Sequence, residues 1–147
     1  PEIKWPNDIY AEGKKLCGIL IENALSGGKV QHSIIGIGMN VNEKEFPSII
    51  SNATSLYLLT GSEYAPQQVA LIIREHVMAM LNDDSDDWKS DYDQYVFGKG
   101  NQYTFLSEDS NFQAEVMGVS MQGHLILNNV DGELKSYASH EVKWVVG

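Results

Sequence analysis

The texture of apolar and polar positions changes repeatedly along the chain. Lys15 to Asn23 is rich in Leu and Ile with little polar relief, which predicts a strand buried on both faces. Leu25-Ser26-Gly27-Gly28 supplies a turn, and Val30 to Asn42 returns as a second strand, so the pair predicts a hairpin. The second strand alternates: Ile35, Ile37, Met39 and Val41 share one face, while Gly36, Gly38, Asn40 and Asn42 share the other. One side is greasy; the other is bare backbone ending in two amides. Glycine inside a strand weakens it, and marks either close approach of a ligand or backbone or a local relief of twist.

Helical spacing follows. Pro66 suits a first helical turn, and Val69, Ile72, Ile73, Val77, Met80 and Leu81 then recur as a stripe that reads as core. A second helix is expected to carry Trp88, Tyr92, Tyr95 and Val96, also as core. After Gly98 and Gly100 the texture becomes short and β-rich: Gln102 to Leu106, Phe112 to Ser120, His124 to Leu127, Glu133 to Tyr137 and Val142 to Val146. Turns at Met121-Gln122-Gly123 and Asn129-Val130-Asp131-Gly132 separate some of these runs, and such spacing suggests a small barrel. The domain limit is expected near residue 99, giving segments 1–99 and 100–147.

Composition narrows the function classes. At 147 residues and 43% hydrophobic, the chain can bury a real core. No apolar run approaches the ~20 residues needed to cross a bilayer as a helix. A net charge of −10 and a single arginine, Arg74, argue against nucleic-acid binding by this chain. The one cysteine, Cys17, excludes an internal disulfide framework and points to a reducing, cytoplasmic setting. It sits in an apolar strand without a nearby histidine in sequence, so an inert buried thiol is expected. His32, His76, His124 and His140 show no zinc-ligand spacing. The run Asp83, Asp84, Asp86 and Asp87 lacks the glycine and glutamate of a calcium loop, and is expected to be a solvated helix start. The chain opens on Pro1, directly before a motif, and reads as part of a longer protein.

That motif is Lys4-Trp5-Pro6-Asn7-Asp8. Pro6 fixes its own φ and extends Trp5, while Asn7 and Asp8 favour a turn. Alone this is only a corner with an amide and a carboxylate at its tip. Followed by Lys15-Leu16-Cys17-Gly18-Ile19-Leu20-Ile21-Glu22 and then Gly36-Ile37-Gly38-Met39-Asn40-Val41-Asn42, it resembles the bacterial biotin protein ligases, the biotin–[acetyl-CoA carboxylase] ligases. Asn52-Ala53-Thr54-Ser55-Leu56 is similar to their following loop and short helix. Gly118-Val119, Gly123 and Leu125 are similar to the central hairpin of their SH3-like domain.

The resemblance implies an α+β fold: the second half of a mixed-sheet catalytic domain with packed helices, then a small SH3-like β-barrel. It also implies a two-step reaction, in which biotin and ATP give biotinyl-5′-AMP, and a lysine of a biotin carboxyl carrier domain then takes the biotin. Bringing a carboxylate to a phosphate is opposed by like charge, so a fixed cation is needed between them. A lysine fits as a compact point charge. By resemblance Lys15 is that catalytic and biotin-binding cation, and Asp8 is a catalytic carboxylate that serves ATP and magnesium. Asn7, Asp8, Gly18, Ile19 and Asn40 are the nucleotide-binding set. Lys14 should point away from Lys15. Under this reading Gly36 and Gly38 form part of a ligand-facing surface.

One departure is large. The ligases carry a Gly/Arg-rich loop before the Lys-Trp-Pro-Asn-Asp motif, and nothing like it occurs here, so this chain alone is expected to be inactive. Lipoate–protein ligases share related chemistry and fold, and a non-catalytic binding or assembly module is a third reading. A homodimer is left open.

Overall fold

The computed structural model describes residues 1–83, 88–108 and 110–145. Its contacts gather into two compact units, one of Pro1 and Asn7–Asp86, the other of Glu2–Pro6 and Asp87–Gly147. This grouping falls earlier than the limit expected near residue 99. The reason is backbone pairing around the glycines that read as a break. Ile3 N–H donates to the Tyr95 carbonyl at 2.6 Å, Phe97 N–H to the Ile3 carbonyl at 2.9 Å, and Gly100 N–H to the Val116 carbonyl at 2.8 Å. Gly98 and Gly100 adopt left-handed φ values of 72° and 79°, which turn the segment onto those partners.

In the first unit, β2 (Asp8–Ala11), β3 (Lys14–Ser26) and β4 (Lys29–Met39) form an antiparallel ribbon in that order. Gly27 and Gly28, with φ of 58° and 75°, make the tight hairpin between β3 and β4. A single 3-10 turn at Ser48–Ile50 precedes α1 (Leu56–Thr60) and α2 (Pro66–Leu81). Buried Ser55 caps α1 by accepting Leu58 N–H at 3.1 Å, and Gly61 ends it in a left-handed conformation. Pro66 opens α2 as its spacing predicts. Ile35, Ile37 and Met39 of β4 and Val69, Ile73 and Val77 of α2 line one open apolar cavity of about 370 Å³, and none of the six is buried.

Two burial expectations fail in this unit. The β3 strand is not buried on both faces, since Leu20 is 63% and Ile21 53% exposed. Nor is the whole α2 stripe core: Ile72, Met80 and Leu81 are exposed. An apolar run states a preference for apolar surroundings, and among the described residues of this chain that half of the ribbon is left uncovered.

The second unit holds β1 (Glu2–Lys4), α3 (Trp88–Gln94) and a five-stranded antiparallel sheet in the order β8-β7-β6-β5-β9. Its strands are β5 (Gln102–Ser107), β6 (Ser110–Val119), β7 (Leu125–Asn129), β8 (Leu134–Tyr137) and β9 (Lys143–Trp144). Phe105, Val116, Leu125 and Leu127 are fully buried at its centre. Among the described residues the sheet is open, with β8 and β9 at its edges. The last strand is shorter than Val142 to Val146 implies, and Val146 lies outside the described residues. Of the expected aromatic stripe, Val96 is buried and Tyr92 packs on the core, but Trp88 and Tyr95 are exposed, and Tyr95 lies beyond the end of α3 at Gln94. Asp84, Asp86 and Asp87 of the acidic run also lie outside the described residues, while Asp83 follows the end of α2. The architecture is α+β.

Candidate active site

Strict alternation along β3 puts Lys15 on the face opposite Gly18. The structure departs from it at one residue. Asp8 pairs with Gly18 and Ile9 with Cys17, but Tyr10 pairs with Lys15, so Leu16 has no counterpart on β2. This is a β-bulge, and bulges re-aim side chains beside functional sites. Lys15 thereby joins the face of Asp8, Tyr10 and Gly18. Its Nζ lies 2.7 Å from Asp8 Oδ1. Lys14 pairs with Ala11 and is exposed, so the two lysines diverge as expected.

Gly18 lies directly beneath the pair. A Cβ there would lie 3.5 Å from Asp8 Oδ1 and 3.5 Å from both Cε and Nζ of Lys15. The Lys15 and Asp8 side chains are 44% and 22% exposed. A pair this open contributes only about 0–1 kcal/mol to stability. It presents a cation and an anion side by side over bare backbone. That arrangement can receive a ligand carrying negative charge.

The surrounding backbone locks Lys15 in place. Its N–H donates to the Asn52 carbonyl at 2.9 Å, and its carbonyl accepts Thr54 N–H at 2.8 Å, so residues 52–54 run parallel beside it. The Asn7 side chain donates to the Ile19 carbonyl at 3.0 Å, and Ile19 N–H returns to the Asn7 carbonyl at 2.8 Å. Asn7, Asp8, Lys15, Gly18 and Ile19 are therefore brought together. Asn40 connects differently: its amide donates to the Thr54 carbonyl at 2.9 Å, and its backbone N–H to the Leu16 carbonyl at 3.0 Å. It braces the bulged residue and makes no bond to Lys15. Sequence reasoning missed the bulge, and it missed Asn52, which also donates to the Tyr10 hydroxyl at 3.1 Å.

Gly36 and Gly38 need no special conformation, and a Cβ at either would make only ordinary contacts, 3.7 Å from the Leu20 carbonyl and 3.9 Å from that of Gly18. The glycine face is open rather than squeezed. Cys17 is buried, and desolvation raises its thiol pKa, with Asp8 adding to the rise and Lys15 opposing it. A protonated thiol is a poor nucleophile. For a divalent cation the donor is Asp8: Oδ1 engages Lys15, and Oδ2 carries no ion pair among the described residues. One carboxylate fits magnesium, which takes one or two carboxylates together with phosphates. Among the described residues no group of three His, Cys, Asp or Glu stands close enough to cage a metal, and no helix is long and apolar enough to cross a membrane.

The biotin/lipoate A/B protein ligase family model matches residues 2–40. The bifunctional ligase/repressor BirA of Bacillus spizizenii is 30% identical over 145 residues, covering 94% of this chain and 45% of the relative. The biotin–[acetyl-CoA-carboxylase] ligase of Paracoccus denitrificans is 51% identical over 39 residues, covering 26% of this chain and 16% of the relative. The biotin protein ligase of Aquifex aeolicus, in complex with biotin and ATP, superposes with a TM-score of 0.77 at 29% identity. That match takes in 99% of this chain and 62% of the Aquifex one. The chain spans less than half the length of its Bacillus relative.

Proposed function

We propose that this chain, a segment of the biotin protein ligase kind by sequence and by fold, supplies the charged half of a biotin-activating site in a longer protein. The observation that carries the reading is the Lys15–Asp8 pair held over Gly18 by the bulge at Leu16. In the first step a carboxylate oxygen of biotin attacks the α-phosphorus of ATP. A new P–O bond forms, the bond to the β-phosphate oxygen breaks, and pyrophosphate leaves. Lys15 sits between carboxylate and phosphate and offsets their repulsion, a cation in place before charge develops. Asp8 holds the ammonium in position, and its carboxylate would also hold magnesium, which would neutralise phosphate charge.

Asn7, Gly18, Ile19 and Asn40 shape the nucleotide side, Asn7 and Ile19 by clamping the corner and Asn40 by bracing the bulge. In the second step the neutral amine of a carrier-domain lysine attacks the acyl carbon of biotinyl-5′-AMP. An amide bond forms, the bond to the phosphate oxygen breaks, and AMP and a proton leave. The acceptor is a biotin carboxyl carrier domain. The setting is cytoplasmic, and the net charge of −10 disfavours nucleic-acid contact by this chain.

The test uses the full-length protein. Exchange of labelled pyrophosphate into ATP should depend on biotin, should not be supported by lipoate, and should fall in Asp8→Asn. Exchange driven by lipoate would move the protein to the lipoate ligases. Absence of exchange with either acid would leave the chain as a binding or assembly module.

A further inference from the structure

Where Lys15 points depends on which β3 residue stands opposite Tyr10. With Tyr10 opposite Leu16, regular alternation would carry Lys15 to the face away from Asp8 and Gly18. With Tyr10 opposite Lys15, as observed, the ammonium stays over Gly18. Burial of Leu16 and the bond from Asn40 N–H to its carbonyl hold the extra residue, but neither touches Tyr10. Asn52 touches both members of the pair. Its carbonyl accepts the Lys15 N–H at 2.9 Å, and its side-chain amide donates to the Tyr10 hydroxyl at 3.1 Å. Tyr10 and Lys15 face each other across the ladder, so the three residues close a ring within the first unit. Tyr10 is only 4% exposed, which makes its hydroxyl a fixed anchor.

We propose that Asn52 is a positioning residue for Lys15, acting through the Tyr10 hydroxyl. The inference rests on the biotin-activating reading above. The backbone bonds of residues 52–54 fix where the main chain of Lys15 lies, but they leave its partner on β2 open. A slip of one residue would carry the Tyr10 hydroxyl about 3.3 Å along the strand, beyond hydrogen-bond reach of the amide. The bond is therefore made in the bulged register and lost in the regular one, and it favours the register that aims Lys15. Displacement of about 1 Å at a catalytic group is enough to cost roughly a hundredfold in rate. A tyrosine hydroxyl in need of a partner could take any donor or a water. Here the donor is the residue whose carbonyl already holds Lys15.

The experiment is a mutant cycle in the full-length protein. Biotin-dependent pyrophosphate exchange at saturating ATP, per folded molecule, is measured beside melting temperature. Tyr10→Phe keeps the ring and removes the hydroxyl. Asn52→Ala keeps the carbonyl that holds Lys15 and removes the amide. Each should lower kcat about tenfold, and the double variant should lose no more than either alone, because both remove one bond. In a Lys15→Ala background the same changes should cost less than about twofold, since no ammonium is left to aim. If both single variants keep kcat per folded molecule while the wild type is active, the bond only satisfies a buried hydroxyl and the inference falls by itself. Losses that multiply in the double variant, or that persist without Lys15, overturn it as well. If the wild type shows no biotin-dependent exchange, the underlying reading falls and takes the inference with it.

Discussion

In the proposed reaction the Lys15 charge does what no amount of packing can. Lys15→Ala should remove the cation between carboxylate and α-phosphate, a loss of roughly 2.7–4 kcal/mol, or about a hundred- to a thousandfold in adenylate formation. Lys14→Ala should cost less than about tenfold, because an exposed charge pointing away contributes little in water. Lys15→Arg should restore only part of the rate, since a planar guanidinium cannot occupy the same point. Equal losses at Lys14 and Lys15 would remove Lys15 from its role. A few residues away, the raised pKa of buried Cys17 carries its own expectation. The thiol is protonated in the fold, so its contribution is fully present below the ordinary cysteine value of about 8.5 and is lost as pH rises through the raised one. Chemical denaturation across pH 8 to 10 should show stability falling, and Cys17→Ala should flatten that fall. The motif points to Lys15, Asp8 and Gly18 as one proposed site but not to how they meet, because strict alternation places Lys15 away from Gly18, and only the unpaired Leu16 brings it round.

The β3 element is two things at once, a ribbon strand and a mount for the ion pair. Gly18 marks where the uses meet, and substitution there separates them. Alanine fits, since its Cβ would make ordinary contacts at 3.5 Å. Valine adds branches into that same space and forces Lys15 and Asp8 apart. Gly18→Ala should therefore keep its melting temperature, and Gly18→Val should lose about tenfold or more in adenylate formation. If valine is as active as glycine, the pair is not held where the chemistry needs it. Helix α2 shows what local sequence does reveal: Pro66 fixes its start, and Val69, Ile73 and Val77 mark the face that lines the cavity shared with β4. Ile72, Met80 and Leu81 belong to the same periodic pattern yet remain exposed. Periodicity identifies an apolar face, but not the molecule that covers it.

Across the whole molecule, incompleteness has a physical signature. Leu20, Ile21, Leu25 and Ile34 leave an apolar ribbon open, each more than half exposed. Residues 1–147 alone should bind a hydrophobic dye and should not release pyrophosphate in a biotin-dependent way. Biotin-dependent release at an enzyme's rate would show that the site is complete within this segment. The position of the break between units is a second test. Lys99 is exposed, and its flanking glycines look like a linker. Yet its N–H donates to the Val96 carbonyl at 3.3 Å, and Gly100 is bonded to Val116. Brief trypsin treatment should leave the bond after Lys99 largely intact, and early cleavage there would restore a domain limit near residue 99. Glycine content suggests a linker there; the long-range pairing of Gly100 with Val116 is invisible to local pattern.

The bond from Trp144 to Trp5 closes a loop of 139 residues. A ribosome delivers those residues in order, so the acceptor emerges long before its donor. Until β9 is released, Trp5 has no indole to receive, and contacts of such sequence separation are slow to form. A nascent chain arrested before residue 143 should hold Trp5 accessible to solvent quenchers of its fluorescence, while one carried past Trp144 should shield it.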